Sequence, residues 1–230
     1  MTARALVTLA VAGAVTSGCA LTDVTLQPPP QFQVAPGSGR GQGREIVVVR
    51  PFRDARSASR CGMKKNGYNQ DSASIFCRAP ASMVADLVAE QLSQAGFRVL
   101  RDRRAASPSA IILTGSLEQL FVEPKNDYFS VEIETDLALR LWATRTDGFS
   151  AERRFYVKGD EATFFASEDD LQLSFDAGVR QLVIGVVGAV ANLSESLPPP
   201  PPPALEPPVP LWPPPSPDSI TDPDLKGSSK

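Results

Sequence analysis

Alternating apolar and polar residues over 129–144 form the clearest pattern along the chain. The inward set is Val131, Ile133, Thr135, Leu137, Leu139 and Leu141, and the intervening set is Glu132, Glu134, Asp136, Arg140 and Trp142. A period of two is typical of a β-strand with one face on a core and the other in water, as in an antiparallel sheet. The following Asp147 and Gly148 predict a hairpin turn, so a second long strand should return beside the first.

Facing side chains in this long hairpin are expected to share one sheet face. With Phe155 and Val157 pointing inward, we expect Leu141 to lie beside Phe155, which requires an odd-length loop or a bulge. The same register places two further pairs on the outer side: Trp142 with Arg154, and Arg140 with Tyr156. Arginine side chains can stack on aromatic rings in such pairs.

Two segments carry apolar residues at steps of three or four, which predicts two helices. The first starts at Pro80 and ends at Gly96, and the second starts after the capping residue Ser167. Their apolar stripes are Met83, Val84, Leu87, Val88 and Leu92, then Leu171, Phe175, Val179, Leu182, Val186, Val190 and Leu193. Three glycines are expected to let the second helix press against its neighbours: Gly178, Gly185 and Gly188.

The remaining elements predict the fold class. The β-branched residues 45–49 indicate a strand buried on both faces, and residues 24–26 an edge strand. The change of apolar phase within residues 110–122 predicts a bulge near Gly115 or Glu118. Residues 53–79 are interpreted as a long loop. We therefore predict a single α+β domain over 44–196, with a mainly antiparallel sheet of about five strands and both helices on one face.

The N-terminal segment has the anatomy of a signal peptide. Arg4 is followed by the apolar residues 5–15, a run too short to span a membrane. Thr16-Ser17-Gly18-Cys19 resembles a lipobox, although Thr16 stands where that motif usually has Leu. We predict that residues 1–18 are removed and that Cys19 is lipidated. The alternative is an ordinary secretory signal with an incidental cysteine.

The segments on either side of the domain predict a tether and a tail. Residues 19–43 form a tether rich in proline and glycine, and 14 of the 22 prolines lie beyond Leu197. Residues 197–230 are therefore expected to be a disordered, proline-rich tail that acts as a spacer, or alternatively as a ligand for an aromatic groove. Ala20 directly after Cys19 resembles the sorting signal for the outer membrane, with the inner membrane or the cell surface as alternatives.

The composition limits the chemistry of the chain. The net charge is −3 and there is no histidine, so we expect no nucleic-acid partner and no histidine-based catalytic or metal site. We predict no metal, no cofactor and no enzymatic activity. Glu132, Glu134 and Asp136 on one strand face could serve a cell-wall glycan hydrolase, but a solvated sheet face is the simpler interpretation.

Cysteine usage points to a stapled surface segment. With Cys19 assigned to lipid, Cys61 and Cys77 are predicted to form a disulfide in an oxidising compartment. Between them, Lys64, Lys65 and Tyr68 are candidate contacts for an anionic partner; the alternative is an insertion that is stapled only against proteolysis. Two further candidate partner-binding residues follow a strand, Asp54 and Arg56, for which an ion pair within the domain is the alternative.

Several of these pieces resemble the YajG-like family of bacterial outer-membrane lipoproteins. The matching residues are Val24-Thr25-Leu26 with Pro28, Asp54-Ala55-Arg56 and Gln94-Ala95-Gly96-Phe97, together with the long hairpin and the apolar last helix. The resemblance implies an envelope address and this fold class. The cysteine-bounded segment and the proline-rich tail depart from the family pattern.

The hypothesis from sequence is a non-enzymatic, lipid-anchored envelope protein. It would be held in the membrane through Cys19 and would bind or scaffold transport or cell-wall machinery, with an envelope protein or peptidoglycan as partner. The alternatives are a glycan hydrolase that uses the strand carboxylates and a lipoprotein that binds a small ligand.

Lipidation is tested by the Cys19→Ser variant. We expect this protein to move to the soluble fraction or to stay unprocessed, because the thiol that accepts the lipid is missing. Membrane fractionation with mass spectrometry of the mature N-terminus measures both outcomes. A variant that is still processed and membrane-bound would contradict lipidation at this residue.

Overall fold

The computed structural model describes residues 22–32, 41–126, 129–164 and 166–197. Cys19, residues 33–40 and the proline-rich residues 198–230 lie outside this part. Its strands are β1 Val24–Leu26, β2 Glu45–Val48, β3 Arg53–Asp54, β4 Gly62–Lys65, β5 Asp71–Cys77, β6 Arg98–Leu100, β7 Ile111–Asn126, β8 Val131–Thr144 and β9 Ser150–Thr163. Its helices are α1 Pro80–Gln94 and α2 Glu168–Ser196, with a 3-10 turn at Arg103–Ala105.

One mixed sheet is organised around β7. The antiparallel β8 covers one edge of β7, and β9 pairs in turn with β8. Along the other edge lie β2, β3 and β4 in succession, all parallel to β7, with Ile46 opposite Ile111 and Gly62 opposite Val122. The strand β6 extends the sheet beyond β2, while β5 and then β1 extend it beyond β4.

The predicted fold class is confirmed. Both helices and the inner face of the sheet share one hydrophobic core, so the domain is α+β with the helices on one face. The segment 53–79, expected to be a loop, instead contains β3, β4 and β5. Two of these strands have only two and four residues, too few to show a period, and they are specified by pairing with distant β7.

The long hairpin is confirmed, but the expected register is wrong by two residues. Leu139 faces Phe155, whereas Leu141 faces Arg153. The outer pairs shift likewise, so that Arg140 faces Arg154 and Trp142 faces Glu152. The loop has odd length, as expected, but it is centred on Asp147, whose carboxylate accepts a hydrogen bond from the Phe149 amide at 3.2 Å. The Asx-type bond fixes the turn one residue earlier than the Asp-Gly pattern suggests.

Helix α1 begins and ends where the sequence predicts. Pro80 occupies the first turn, where its missing amide costs nothing. At the other end Gly96 has φ of 87°, the Gly96 amide donates to the Ser93 carbonyl at 3.1 Å, and the Phe97 amide donates to the Leu92 carbonyl at 3.1 Å. This is a Schellman ending, and it turns the chain directly into β6.

Helix α2 starts with a capping box and then follows the sheet. The Asp170 amide donates to Ser167 Oγ at 3.1 Å, and the Ser167 amide donates to Asp170 Oδ2 at 3.0 Å. By length and composition alone α2 could cross a membrane. Its apolar stripe, with Phe175, Val179 and Leu182 fully buried, nevertheless packs in the core of the domain. It therefore behaves as a core helix.

Two glycines allow α2 to approach the sheet closely. A Cβ on Gly159 of β9 would lie 2.6 Å from the Ser174 carbonyl oxygen and 2.8 Å from the Gly178 amide nitrogen. A Cβ on Gly178 would lie 3.0 Å from Leu137 Cδ1. Of the other glycines predicted to matter, Gly185 makes only an ordinary contact and Gly188 has open space around it.

The close approach predicts that Gly159→Ala destabilises the domain. Because the added methyl group meets backbone atoms, we expect the free energy of unfolding to fall by about 1–3 kcal/mol. The matched control is Gly188→Ala, which adds a methyl group in open space and should be neutral or stabilising by about 0.5–1 kcal/mol. Urea denaturation of both variants measures the difference, and equal midpoints would contradict the close contact.

Candidate functional site

Asp54 and Arg56 form an ion pair within the domain. Arg56 Nε and Nη2 donate to the two carboxylate oxygens of Asp54, each at 2.9 Å. These hydrogen bonds hold the pKa of Asp54 below its ordinary value. Arg56 Nη1 also lies 3.2 Å from Cys61 Sγ, so the pair is packed against the disulfide.

The disulfide joins the two ends of a β-hairpin. Cys61 and Cys77 are bonded, and the residues between them form β4, a turn and β5; we call residues 61–77 the disulfide arm. The Cys61 amide donates to the Ile75 carbonyl at 2.7 Å, and the Val122 amide donates to the Cys61 carbonyl at 2.7 Å. The arm is therefore fixed to β7 at its base.

The two lysines of the arm are matched by acceptors inside the domain. Lys64 is buried, and its Nζ donates to the Thr22 carbonyl at 3.3 Å and lies 3.9 Å from Glu168. Lys65 Nζ lies 2.7 Å from Asp71 and 3.0 Å from Glu123, and these contacts raise the pKa of Lys65. Recognition of an anionic partner by this pair stays a prediction, and the internal pairing does not favour it.

Tyr68 stands apart from these lysines, at the tip of the arm. The Asn66 side-chain oxygen accepts the amides of Tyr68 and Gln70, each at 3.0 Å, which shapes the turn. The Tyr68 side chain is 87% exposed. The structure thus divides the five candidate residues among three places rather than one site.

The side chains of β7, β8 and β9 that point away from the helices form a second candidate site, which we call the outer face. Its members include Glu118, Gln119, Phe121, Glu123, Lys125, Glu134, Asp136, Ala138, Arg140, Trp142, Glu152, Arg154, Tyr156 and Lys158. The register of β7 shifts between Leu117 and Gln119, which confirms the predicted bulge and directs Glu118 toward this face.

Half of the outer face is an arginine cluster beside the bulge. Glu118 lies 2.8 Å from Arg140 Nε and 2.9 Å from Arg154 Nη2. The contact with Arg140 Nε is an ion pair whose geometry is not that of a hydrogen bond. The Arg140 guanidinium lies 5.8 Å from the centroid of the Trp142 ring, and Trp142 Nε1 donates to Glu152 at 3.0 Å. Glu118, Arg140, Trp142 and Glu152 are therefore each held by at least two neighbours.

The other half holds the strand carboxylates that a hydrolase would need. Glu134 lies 2.7 Å from Lys125 and 3.1 Å from Lys158, and these two ammonium groups lower the pKa of Glu134. Asp136 accepts the Tyr156 hydroxyl at 2.7 Å, a bond that raises the pKa of Tyr156. A general acid needs a raised carboxyl pKa, so the arrangement at Glu134 is the opposite of what that chemistry requires.

An aromatic patch separates the two halves. Tyr156 faces Ala138 across the hairpin, and on β7 Gln119 faces Ala138 while Phe121 faces the neighbouring Asp136. Tyr156 is 57% exposed, with its ring on the surface and its hydroxyl held by Asp136. The sequence predicts Tyr156 on the outer side, but it does not single out Phe121, because one aromatic residue between the inward Leu120 and Val122 carries no local signal of a site.

The surface clefts outside the helix–sheet core include two that are lined by charged side chains. One, of about 210 Å³, lies between residues 56–60 and the bulged part of β7, and it adjoins the aromatic patch through Phe121. The other, of about 470 Å³, is lined by Arg50, Asp86 and Arg101, with Arg50 Nη1 2.5 Å from Asp86. Within the described residues no group of three or more His, Cys, Asp or Glu side chains is placed to hold a metal ion.

Comparison with known proteins supports the fold alone. No family model and no curated protein matches the chain. A protein of Xanthomonas campestris assigned to the family DUF330 matches with a TM-score of 0.54 and 16% identity, over 75% of this chain and 98% of that one. The likeness shows a shared fold, and the YajG-like resemblance stays a prediction.

Two other solved structures are more distant. A hypothetical protein of Chlamydia trachomatis matches with a TM-score of 0.40 and 10% identity, over 64% of this chain and 98% of that one. A lipoprotein of Neisseria meningitidis matches with a TM-score of 0.25 and 14% identity, over 65% of this chain and 99% of that one. Both scores are too low to support an argument about this chain.

The lowered pKa of Glu134 predicts a pH dependence of stability. A carboxyl group whose folded pKa lies below its ordinary value of 4.5 stabilises the fold above that pH, and this contribution is lost as the pH falls through the folded pKa. Wild type should therefore lose more stability than Glu134→Gln between about pH 6 and about pH 3. Urea denaturation across this range measures the loss. Parallel stability curves for the two proteins would contradict the ion pairs of Glu134.

Proposed function

We propose that the chain is a lipid-anchored, non-enzymatic protein of the bacterial envelope that binds a protein of the transport or cell-wall machinery through its outer face. The observation that carries the proposal is the aromatic patch of Phe121, Ala138 and Tyr156, flanked on both sides by ion-paired side chains. An apolar centre with a polar rim is the usual anatomy of a protein–protein interface.

The envelope address is supported by three features of the chain. The lipobox-like sequence ends at Cys19, and the only other cysteines form the Cys61–Cys77 disulfide. Stable disulfides are typical of oxidising compartments such as the periplasm. Ala20 favours the outer membrane, with the lipid anchor facing the periplasm, as the specific location.

The outer face is suited to binding because its large side chains are already held in place. The Tyr156 hydroxyl is bonded to Asp136, and Arg140 is fixed between Glu118 and the Trp142 ring. Side chains that are ordered before binding lose less conformational entropy in a complex. Tyr, Trp and Arg are also the residues in which interface binding energy concentrates.

We propose a binding role rather than hydrolase activity because of the ion pairs that surround Glu134. Its carboxylate is paired with Lys125 and Lys158, which keeps it ionised rather than able to donate a proton to a glycosidic oxygen. Asp136 on the same strand accepts a hydrogen bond from a tyrosine instead of facing an open cavity.

The test compares crosslinking in the native envelope for wild type, Tyr156→Ala and Phe76→Ala. Truncating a central aromatic residue typically costs about 2 kcal/mol of binding, or about 30-fold in affinity. We therefore expect Tyr156→Ala to lose the proteins that are crosslinked to wild type. Phe76→Ala, which removes an exposed aromatic residue of β5 outside the outer face, serves as the matched control and should retain them.

Two results would contradict the proposal. One is an identical set of crosslinked proteins for wild type and Tyr156→Ala. The other is the release of soluble fragments from purified peptidoglycan by the wild-type protein, which would establish a hydrolase. Binding to peptidoglycan without the release of fragments would show that the partner is the glycan rather than a protein.

A further inference from the structure

The three most exposed large hydrophobic side chains of the described residues are aromatic. Phe129 is 90% exposed, Tyr68 is 87% exposed and Phe164 is 78% exposed, whereas the next most exposed, Tyr156, reaches 57%. Single exposed apolar residues are common on soluble proteins, but a group of nearly bare rings in one place indicates an interaction surface.

Strand pairing places these three rings at one end of the sheet, which we call the aromatic end. Phe129 lies two residues before Val131, and Phe164 directly follows Thr163, the residue opposite Val131. Tyr68 belongs to the turn of the disulfide arm, and the Asn66 carbonyl in that turn accepts the Asn126 side-chain amide of β7 at 2.8 Å. The hairpin tip, the end of β9 and the tip of the arm thus lie side by side.

The chain enters the domain at the same end. β1 runs parallel to β5, with Val24 opposite Ile75, so the residues before β1 lie toward the beginning of β5 and the tip of the arm. The Thr22 carbonyl is held there by Lys64 Nζ at 3.3 Å. Cys19 is three residues upstream of Thr22, and three residues of extended chain span at most about 11 Å.

We infer that the aromatic end lies against the surface of the lipid bilayer, with Phe129, Tyr68 and Phe164 inserted among the headgroups. The inference rests on the lipid anchor at Cys19 that forms part of the proposed function. An anchor within about 11 Å of Thr22 brings this end of the sheet to the membrane before any other part of the described domain. Aromatic rings are the side chains that partition to this interface.

The charges nearby determine which lipids fit. Helix α2 begins at the aromatic end, because Glu168 lies 3.9 Å from Lys64, and its first turn carries Glu168, Asp169 and Asp170. Carboxylates at this end repel anionic headgroups. The contact is therefore apolar and suits a zwitterionic bilayer, and added anionic lipid should weaken it rather than strengthen it.

The experiment attaches the chain to vesicles by chemistry that does not depend on the cell. With Cys61 and Cys77 in the disulfide, Cys19 is the one free thiol of residues 19–230 and can be coupled to a maleimide lipid. The vesicles are phosphatidylcholine with bromine on the acyl chains, which quenches the fluorescence of inserted tryptophan. The native Trp142 and Trp212 are replaced by Phe so that a single reporter remains.

The reporter is Phe129→Trp, and its matched control is Val49→Trp. Val49 is also exposed, but it lies far from the aromatic end. Its amide donates to the Leu113 carbonyl, and Leu113 is about 44 Å along β7 from Asn126. We expect several-fold stronger quenching for Phe129→Trp than for Val49→Trp. Adding Tyr68→Ser and Phe164→Ser to the reporter protein should reduce its quenching toward the control.

Equal quenching of the two reporters would overturn the inference. So would unchanged quenching after Tyr68→Ser and Phe164→Ser, since the rings would then not hold the contact. Because coupling replaces acylation and no protein partner is present, failure here leaves the proposed partner-binding role standing. Conversely, a Cys19 that the cell leaves unmodified would refute the anchor without changing the quenching.

Discussion

Backbone pairing with β7 is the constraint to which the other elements adapt. β8 follows one edge of this strand over its whole length, while residues 45–65 follow the other edge in three parallel pieces. The pieces are separated where residues 50–52 and 56–60 leave the edge, and the bulge at Glu118 lies opposite the second departure. The outer-face cluster around Glu118 and the adjoining cleft exist because the pairing is interrupted there.

The helices and the long hairpin could be predicted because their signals are local. Pro80, Gly96 and Ser167 mark helix ends through contacts within a few residues, and the period of two in β8 extends over fourteen residues. β3 and β4 could not be predicted, since their partners lie sixty residues away on β7. The two-residue register error arose from one side chain, Asp147, whose bonds centre the turn on itself.

The candidate sites show a similar division. The Asp54–Arg56 ion pair is a contact between residues two apart, and the sequence offered it as one alternative. The burial and pairing of Lys64 depend on Thr22 and Glu168, which no local sequence pattern connects to this lysine. The grouping of Tyr68, Phe129 and Phe164 likewise follows only from strand order, because each lies in a turn or at a strand end that has no apolar period.

Helix α2 is the longest helix of the described residues and separates the two ends of the described chain. It starts at Glu168 beside the entry point of the chain and runs along β8 and β9, with Ser174 bonded to the Ile133 carbonyl near its beginning and Leu193 beside Leu141 near its end. At 29 residues α2 is about 43 Å long, so Leu197 lies about that far from Glu168, which is beside Thr22. The described chain therefore enters the domain near the first turn of α2 and ends near its last turn, so its two ends are separated by the length of that helix.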